Sequence, residues 1–211
     1  MFAAAAALVV ILISGCAVPQ KDYTNFRQHR PRSILVLPPL NKSTAVEATY
    51  SYFSTVTMPL AEMGYYVFPV AVVDQFLKEN GMPTAGEMHQ VPVNKANEIL
   101  GADAVLYVTL VQYGSKYQII NSQTSVMVKA RMVDARTGLV IWEGTGGAQQ
   151  NSGGSGNLIA DAIAALITQA VSSGTDAAHG ICTAANVSLL ATKNRGVLYG
   201  PYHPKFMAED Q

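Results

Sequence analysis

Residues 2–13 form an unbroken apolar run of twelve side chains, and the chain then reads Ile13-Ser14-Gly15-Cys16. This opening decides how much of the chain is available to fold. A stretch of twelve is too short to cross the roughly 30 Å hydrocarbon core of a bilayer as a helix, but it has the length of a signal-peptide apolar region. An aliphatic residue, two small residues and a cysteine are the order of a bacterial lipoprotein processing site. The small side chains let a peptidase approach the backbone, and only the thiol can take a diacylglycerol. Cleavage is therefore expected between Gly15 and Cys16, with Cys16 carrying lipid. The first twenty residues contain no Lys or Arg, a departure from the usual basic opening. The residue after Cys16 is Ala17 rather than Asp, which favours sorting to the outer membrane. The remainder is expected in the periplasm or exposed at the surface. Burial of acyl chains, at about 0.8 kcal/mol per CH₂, is what would hold it there.

Setting residues 1–15 aside leaves 196, the size of one ordinary domain. Residues 16–32 are polar, with Lys21, Arg27, Arg30 and Arg32, and are expected to be a tether; the domain is expected over 33–211. Charged residues are 13% of the chain against about 25% in a typical soluble protein. That poverty of charge points to apolar surface that meets a partner or a second copy. Net charge is zero and no block of like charge occurs, which excludes a nucleic-acid footprint or a polybasic membrane patch.

Hydrophobic periodicity predicts an α/β fold. An apolar run at 33–37, closed by Pro38-Pro39, reads as a buried strand. Helical spacing follows over 46–63, with Pro59 as a kink or restart and Gly64 as a stop. A short strand at 66–69, helices at 72–79 and 92–100, and a central strand at 104–111 come next. Alternating residues from Val126 to Val133, a turn at Asp134-Ala135-Arg136-Thr137-Gly138 and a return over 139–145 make a long antiparallel hairpin. Residues 144–156 hold six glycines in thirteen positions and read as a flexible loop. Helices are then expected at 158–171 and 176–190, with an extended tail over 196–204. The whole is one domain with a mixed central sheet flanked by helices.

No catalytic centre, cofactor or metal site emerges. The glycine-rich stretch lacks the third glycine of a dinucleotide fingerprint, and no Gly-Lys-Ser/Thr follows. Ser155 lies in no nucleophile elbow. Glu62 with Asp74, and Asp134 with Glu143, are read as surface and turn residues. Cys182 stands three residues after His179, on one helical face, but His29, His89 and His203 offer no second ligand pair. Cys182 reads as a buried, inert thiol, or else as half of an intermolecular disulfide. A ligand crevice, if present, is expected beside the first strand's carboxyl end at Asn41, Ser43 and Thr44.

The blocks Ser33-Ile34-Leu35-Val36-Leu37-Pro38-Pro39, Gly64-Tyr65-Tyr66-Val67-Phe68-Pro69, Gly101-Ala102-Asp103-Ala104-Val105-Leu106-Tyr107 and Asp134-Ala135-Arg136-Thr137-Gly138 resemble a family of bacterial lipoproteins with a meningococcal vaccine-antigen member. They also look like the N-terminal domain of TolB, the CsgG-type lipoproteins and the LpoB activators of peptidoglycan synthases. The resemblance implies a TolB N-terminal-domain-like sheet and a non-enzymatic protein that binds other envelope proteins. The expected role is therefore an outer-membrane interaction component, a homodimer beside a CsgG-like lipoprotein or another envelope protein. The alternative is a periplasmic solute-binding or transport-accessory lipoprotein.

Overall fold

A computed structural model describes residues 21–117, 122–151 and 177–207. The expected signal peptide, Cys16, Ser155 and the helix expected at 158–171 lie outside the described residues. Six strands form one sheet: β1 (Ser33–Val36), β2 (Leu40–Asn41), β3 (Tyr66–Val67), β4 (Ala104–Tyr117), β5 (Ser122–Asp134) and β6 (Val140–Asn151). The order is β3-β1-β4-β5-β6, with β2 also pairing β4. β1 and β2 run parallel to β4, whereas β4, β5 and β6 are antiparallel, so the sheet is mixed as the pattern predicts.

Helices lie on both faces. One face carries α1 (Thr24–His29), α2 (Ala48–Phe53), α3 (Thr57–Glu62) and α7 (Ala177–Leu190) over Val36, Leu106, Leu110, Val128 and Met132. The other carries α4 (Val70–Glu79), α5 (Ala85–Met88) and α6 (Asn94–Leu100) over Leu35, Leu37, Val105 and Val133. Pro59 sits in the first turn of α3, where its missing N–H costs nothing, so the helical pattern of 46–63 becomes two helices. α5 is set by a capping box in which Thr84 and Glu87 each satisfy the other's backbone N–H.

Three expectations are corrected. The segment read as a tether is part of the domain from residue 21 onward: Tyr23 and Phe26 are buried in the main core, and their apolar rings outweigh the polar residues between them. The glycine-rich stretch is strand as far as Asn151. Its inward positions are Trp142, Gly144, Gly146 and Ala148, a period of two in which small residues make room. A Cβ on Gly144 would lie 2.5 Å from the Trp142 ring, and one on Gly146 would lie 2.5 Å from Leu189 Cβ of α7. The glycines let the indole and a helix lie directly on the strand. The tail, read as extended, turns back on itself over 201–207: Gly200 N–H donates to Met63 O at 2.7 Å, Tyr202 N–H to Gly64 O at 3.1 Å, and the rings of Tyr199 and His203 stack at 3.8 Å.

α7 is locked by polar bonds inside the core. Asn186, with no exposed surface, accepts from the Tyr52 hydroxyl and donates to Thr55 Oγ1 at 3.0 Å. Cys182 is likewise fully buried, beside Tyr52, while His179 is exposed and its Nδ1 lies 3.4 Å from Ser51 Oγ. The shared helical face predicted for the pair does not bring them to one site.

Gly146→Ala is expected to destabilise the domain by about 1–3 kcal/mol through overpacking against Leu189. Gly86→Ala, whose Cβ would have no neighbour nearer than 3.8 Å, is expected to cost nothing. Urea denaturation of both variants checks the contrast.

Candidate functional site

The expected crevice residues line none of the clefts described below. Asn41 Oδ1 accepts from the Ser43 backbone N–H at 2.8 Å and from its hydroxyl at 2.7 Å, while Asn41 Nδ2 donates to Ala45 O at 2.6 Å. Asn41 and Ser43 therefore spend these groups on closing their own turn, the ordinary use of such side chains. Thr44 follows in that turn, and the cavities described below are lined by other residues. Asp134 also has a turn role, accepting from the backbone N–H groups of Arg136 and Thr137 and from the Thr137 hydroxyl. Asp103 takes bonds from the Arg32 and Ser33 backbones and an ion pair from Arg136 at 2.7 Å, tying β1, β4 and the hairpin turn together.

The sheet face that carries α4, α5 and α6 holds two clefts and a group of exposed charges, while a further cleft of about 870 Å³ opens on the α7 side beside Val126, Gly146 and Leu189. Strand alternation sends Tyr107, Arg131 and Glu143 into one cross-strand row, and Thr109, Lys129 and Thr145 into the next. Helices cover the row's start and leave its end open, so Met127, Lys129, Arg131 and Glu143 are exposed. A cleft of about 680 Å³ lies over these rows and is bounded by Lys21, Leu40 and His89. Its fixed charges are the cations Lys21, Lys129 and Arg131 against the single carboxylate Glu143.

Tyr107 is the pivot of this face. The Arg131 guanidinium lies 4.6 Å from the Tyr107 ring centroid, and His89 meets the ring edge-on at 5.3 Å. His89 is placed by the end of α5, and its Nε2 donates to Pro38 O at 2.9 Å. A carbonyl can only accept, so Nε2 carries the proton. Burial lowers the His89 pKa from its usual value, with the Pro38 carbonyl opposing and Arg131 assisting. Burial also raises the Tyr107 pKa, against the pull of Arg131. Lys21 is held below its usual range by burial, with Glu143 opposing; it donates to the Glu143 backbone carbonyl and lies 5.0 Å from the Trp142 ring centroid.

Beyond Tyr107 the surface turns apolar. A cleft of about 240 Å³ separates α6 from the sheet, floored by Leu35, Leu37 and Val105 and walled by Phe76, Leu77 and Met88. α6 fully buries none of its own residues and has no capping side chain at its start; Ala96 and Leu100 touch the core while remaining partly exposed. Its stop is firm: Gly101 adopts φ +73° and Asn97 Nδ2 donates to Ala102 O at 2.9 Å. The sequence carried a signal for the polar half, the alternation of Lys129 and Arg131 with buried residues. It carried none for the cleft, which depends on where a short helix stops approaching the sheet.

Residues 21–202 match the family model described as "Putative lipoprotein GNA1162-like". The chain is 41% identical over 197 residues to "Putative lipoprotein NMB1124/NMB1162" of Neisseria meningitidis serogroup B, covering 91% of this chain and 92% of that protein. The crystal structure of lipoprotein GNA1162 from Neisseria meningitidis superposes with TM-score 0.58 and 43% identity, over 67% of this chain and 96% of the other. The C-terminal domain of LpoB from Salmonella enterica gives 0.40 at 17% identity, over 68% and 94%.

The depressed His89 pKa sets a direction for pH dependence. The fold favours the neutral ring, so this contribution is present above the unfolded value of about 6.5 and is lost as pH falls from there toward the folded value. Wild-type protein is expected to lose thermal stability below about pH 6.5. His89→Gln, which can still donate to the Pro38 carbonyl, is expected to flatten that loss. Melting curves at a series of pH values between neutrality and the acid side check it, and parallel slopes for the two proteins refute it.

Proposed function

We propose a function from one premise: this chain belongs to the GNA1162-like family of lipoproteins. Its domain is a single mixed α/β sheet flanked by helices. The reading is that Cys16 is acylated, that the lipid holds the protein at the outer membrane with the domain in the periplasm or at the surface, and that the domain works by binding within an envelope assembly rather than by catalysis.

The observation that carries the binding role is the exposed face of the β5–β6 hairpin. It sets apolar Met127, which is 44% exposed, beside Lys129, Arg131 and Glu143, with no described element over them. Apolar side chains ringed by charge are the make-up of a recognition surface. Lipid attachment would confine this face within reach of membrane-bound partners, raising its effective concentration without a new contact. Candidate partners are a second copy, giving a homodimer, and a CsgG-like or other envelope lipoprotein. A solute-binding role is the second reading, and it moves from Asn41 to the clefts around Tyr107.

A photocrosslinking amino acid at Met127 in living cells, followed by purification from membranes and mass spectrometry, tests the proposal. Adducts with envelope proteins or with a second copy are expected, and their yield is expected to fall at least tenfold in Cys16→Ala. Cys16→Ala should also abolish incorporation of radiolabelled palmitate; retained labelling would overturn the anchor, and absence of any adduct would overturn the docking face.

A further inference from the structure

The apolar cleft under α6 and the cationic cleft over β5 and β6 share one wall, the side chain of Tyr107. That residue is 8% exposed, yet among the described residues nothing accepts a hydrogen bond from its hydroxyl, and the oxygen is not sealed off from the cavities. A phenol buried to this degree ordinarily finds a partner. Here the ring is clamped between Arg131 and His89, so the hydroxyl is held at the junction of an apolar space and a charged one.

We propose that these two clefts form one binding site for a single-chain anionic amphiphile, with a short acyl or alkyl chain under α6 and a phosphate or carboxylate head against Arg131 and Lys129. The apolar half is about 240 Å³ and the polar half about 680 Å³, and taken together they fall within the roughly 300–1,000 Å³ of small-molecule pockets. Apolar walls with a few placed polar groups at one end are the general design of such pockets. The charge fits the head: three cations stand against Glu143, and Lys129 has no described partner for its ammonium. At the other end Lys95 is already paired with Glu98 at 2.6 Å, so the tail end offers no competing attraction. The Tyr107 hydroxyl supplies the missing donor where tail meets head. α6 walls the tail end through Ala96 and Leu100, which are only partly buried. This site shares Lys129 and Arg131 with the proposed docking face, but amphiphile uptake and crosslinking at Met127 are read separately and can fail separately.

The test is equilibrium dialysis of full-length acylated protein in phosphatidylcholine nanodiscs, with empty discs as the blank. Octyl phosphate, nonanoate, octanol and inorganic phosphate are the probes. Saturable uptake of one octyl phosphate or one nonanoate per chain is expected, with octanol weaker and inorganic phosphate at least tenfold weaker. Preference between octyl phosphate and nonanoate identifies the head. Arg131→Gln with Lys129→Gln is expected to weaken the anionic amphiphiles at least tenfold and leave octanol within twofold. Ala96→Phe, which fills the cleft from α6, is expected to abolish uptake of both chain types. Where that variant loses its circular dichroism spectrum, a diazirine placed at the tail end of octyl phosphate gives the same information in wild type. Its label must fall on Leu35, Leu37, Tyr107 or between residues 76 and 105; label elsewhere, uptake no greater than in empty discs, or equal uptake of octyl phosphate by the Arg131/Lys129 variant overturns the proposal.

Discussion

The contact between β6 and what lies on it organises the rest of the main core. Trp142 is 2% exposed, its ring lies where Gly144 has no side chain, and its Nε1 donates to Gly196 O at 2.8 Å. The same carbonyl accepts from the Tyr23 hydroxyl at 2.6 Å. One backbone oxygen thus joins the first described segment, β6 and the turn after α7. That turn is itself tight: Val197 N–H returns to Leu190 O at 2.8 Å, and a Cβ on Gly196 would meet the same oxygen at 2.1 Å. Closing three distant parts of a chain at one point costs chain entropy, and burying a large indole together with Leu189 and Leu190 is the kind of apolar gain that offsets it.

A second consequence of the strand pattern is the asymmetry of the two faces. Under α7 the core's polar members are satisfied, as with Asn186 between Tyr52 and Thr55, and a cleft of about 870 Å³ opens beside Gly146 and Leu189. The opposite face is filled only over β1 and the start of β4, because α4, α5 and α6 are short and all lie between β3 and β4 in sequence. Past Tyr107 the described chain provides nothing to cover it, and Met127, Lys129, Arg131 and Glu143 are exposed there.

The sequence was legible where one physical signal dominated. Prolines at 38 and 39 end an apolar run, Gly64 and Gly101 take positive φ to end helices, and the Asp134 to Gly138 turn closes a hairpin whose alternation survives two bulges, at Val111 and Ile141. It misled where composition hid periodicity. Six glycines between 144 and 156 look like a loop, although Trp142, Gly144, Gly146 and Ala148 keep the period of two that belongs to a strand. The polar residues between Ala17 and Arg32 likewise hid Tyr23 and Phe26. The Thr84 to Glu87 capping box was readable from its spacing alone. For the crevice, Asn41 and Ser43 are the right residue types for a ligand, but the same types close turns, and here they do.

By itself the sequence determined the fold class, most strands of the sheet and the family, because each rests on local patterns of apolar spacing and turn chemistry. The tertiary structure alone decided which face is open, because that depends on how far three short helices reach across a sheet. It also decided that Tyr107, His89 and Arg131 meet. They are far apart in the chain and are joined only through strand register and the stop of one capped helical turn, and no local pattern encodes that meeting.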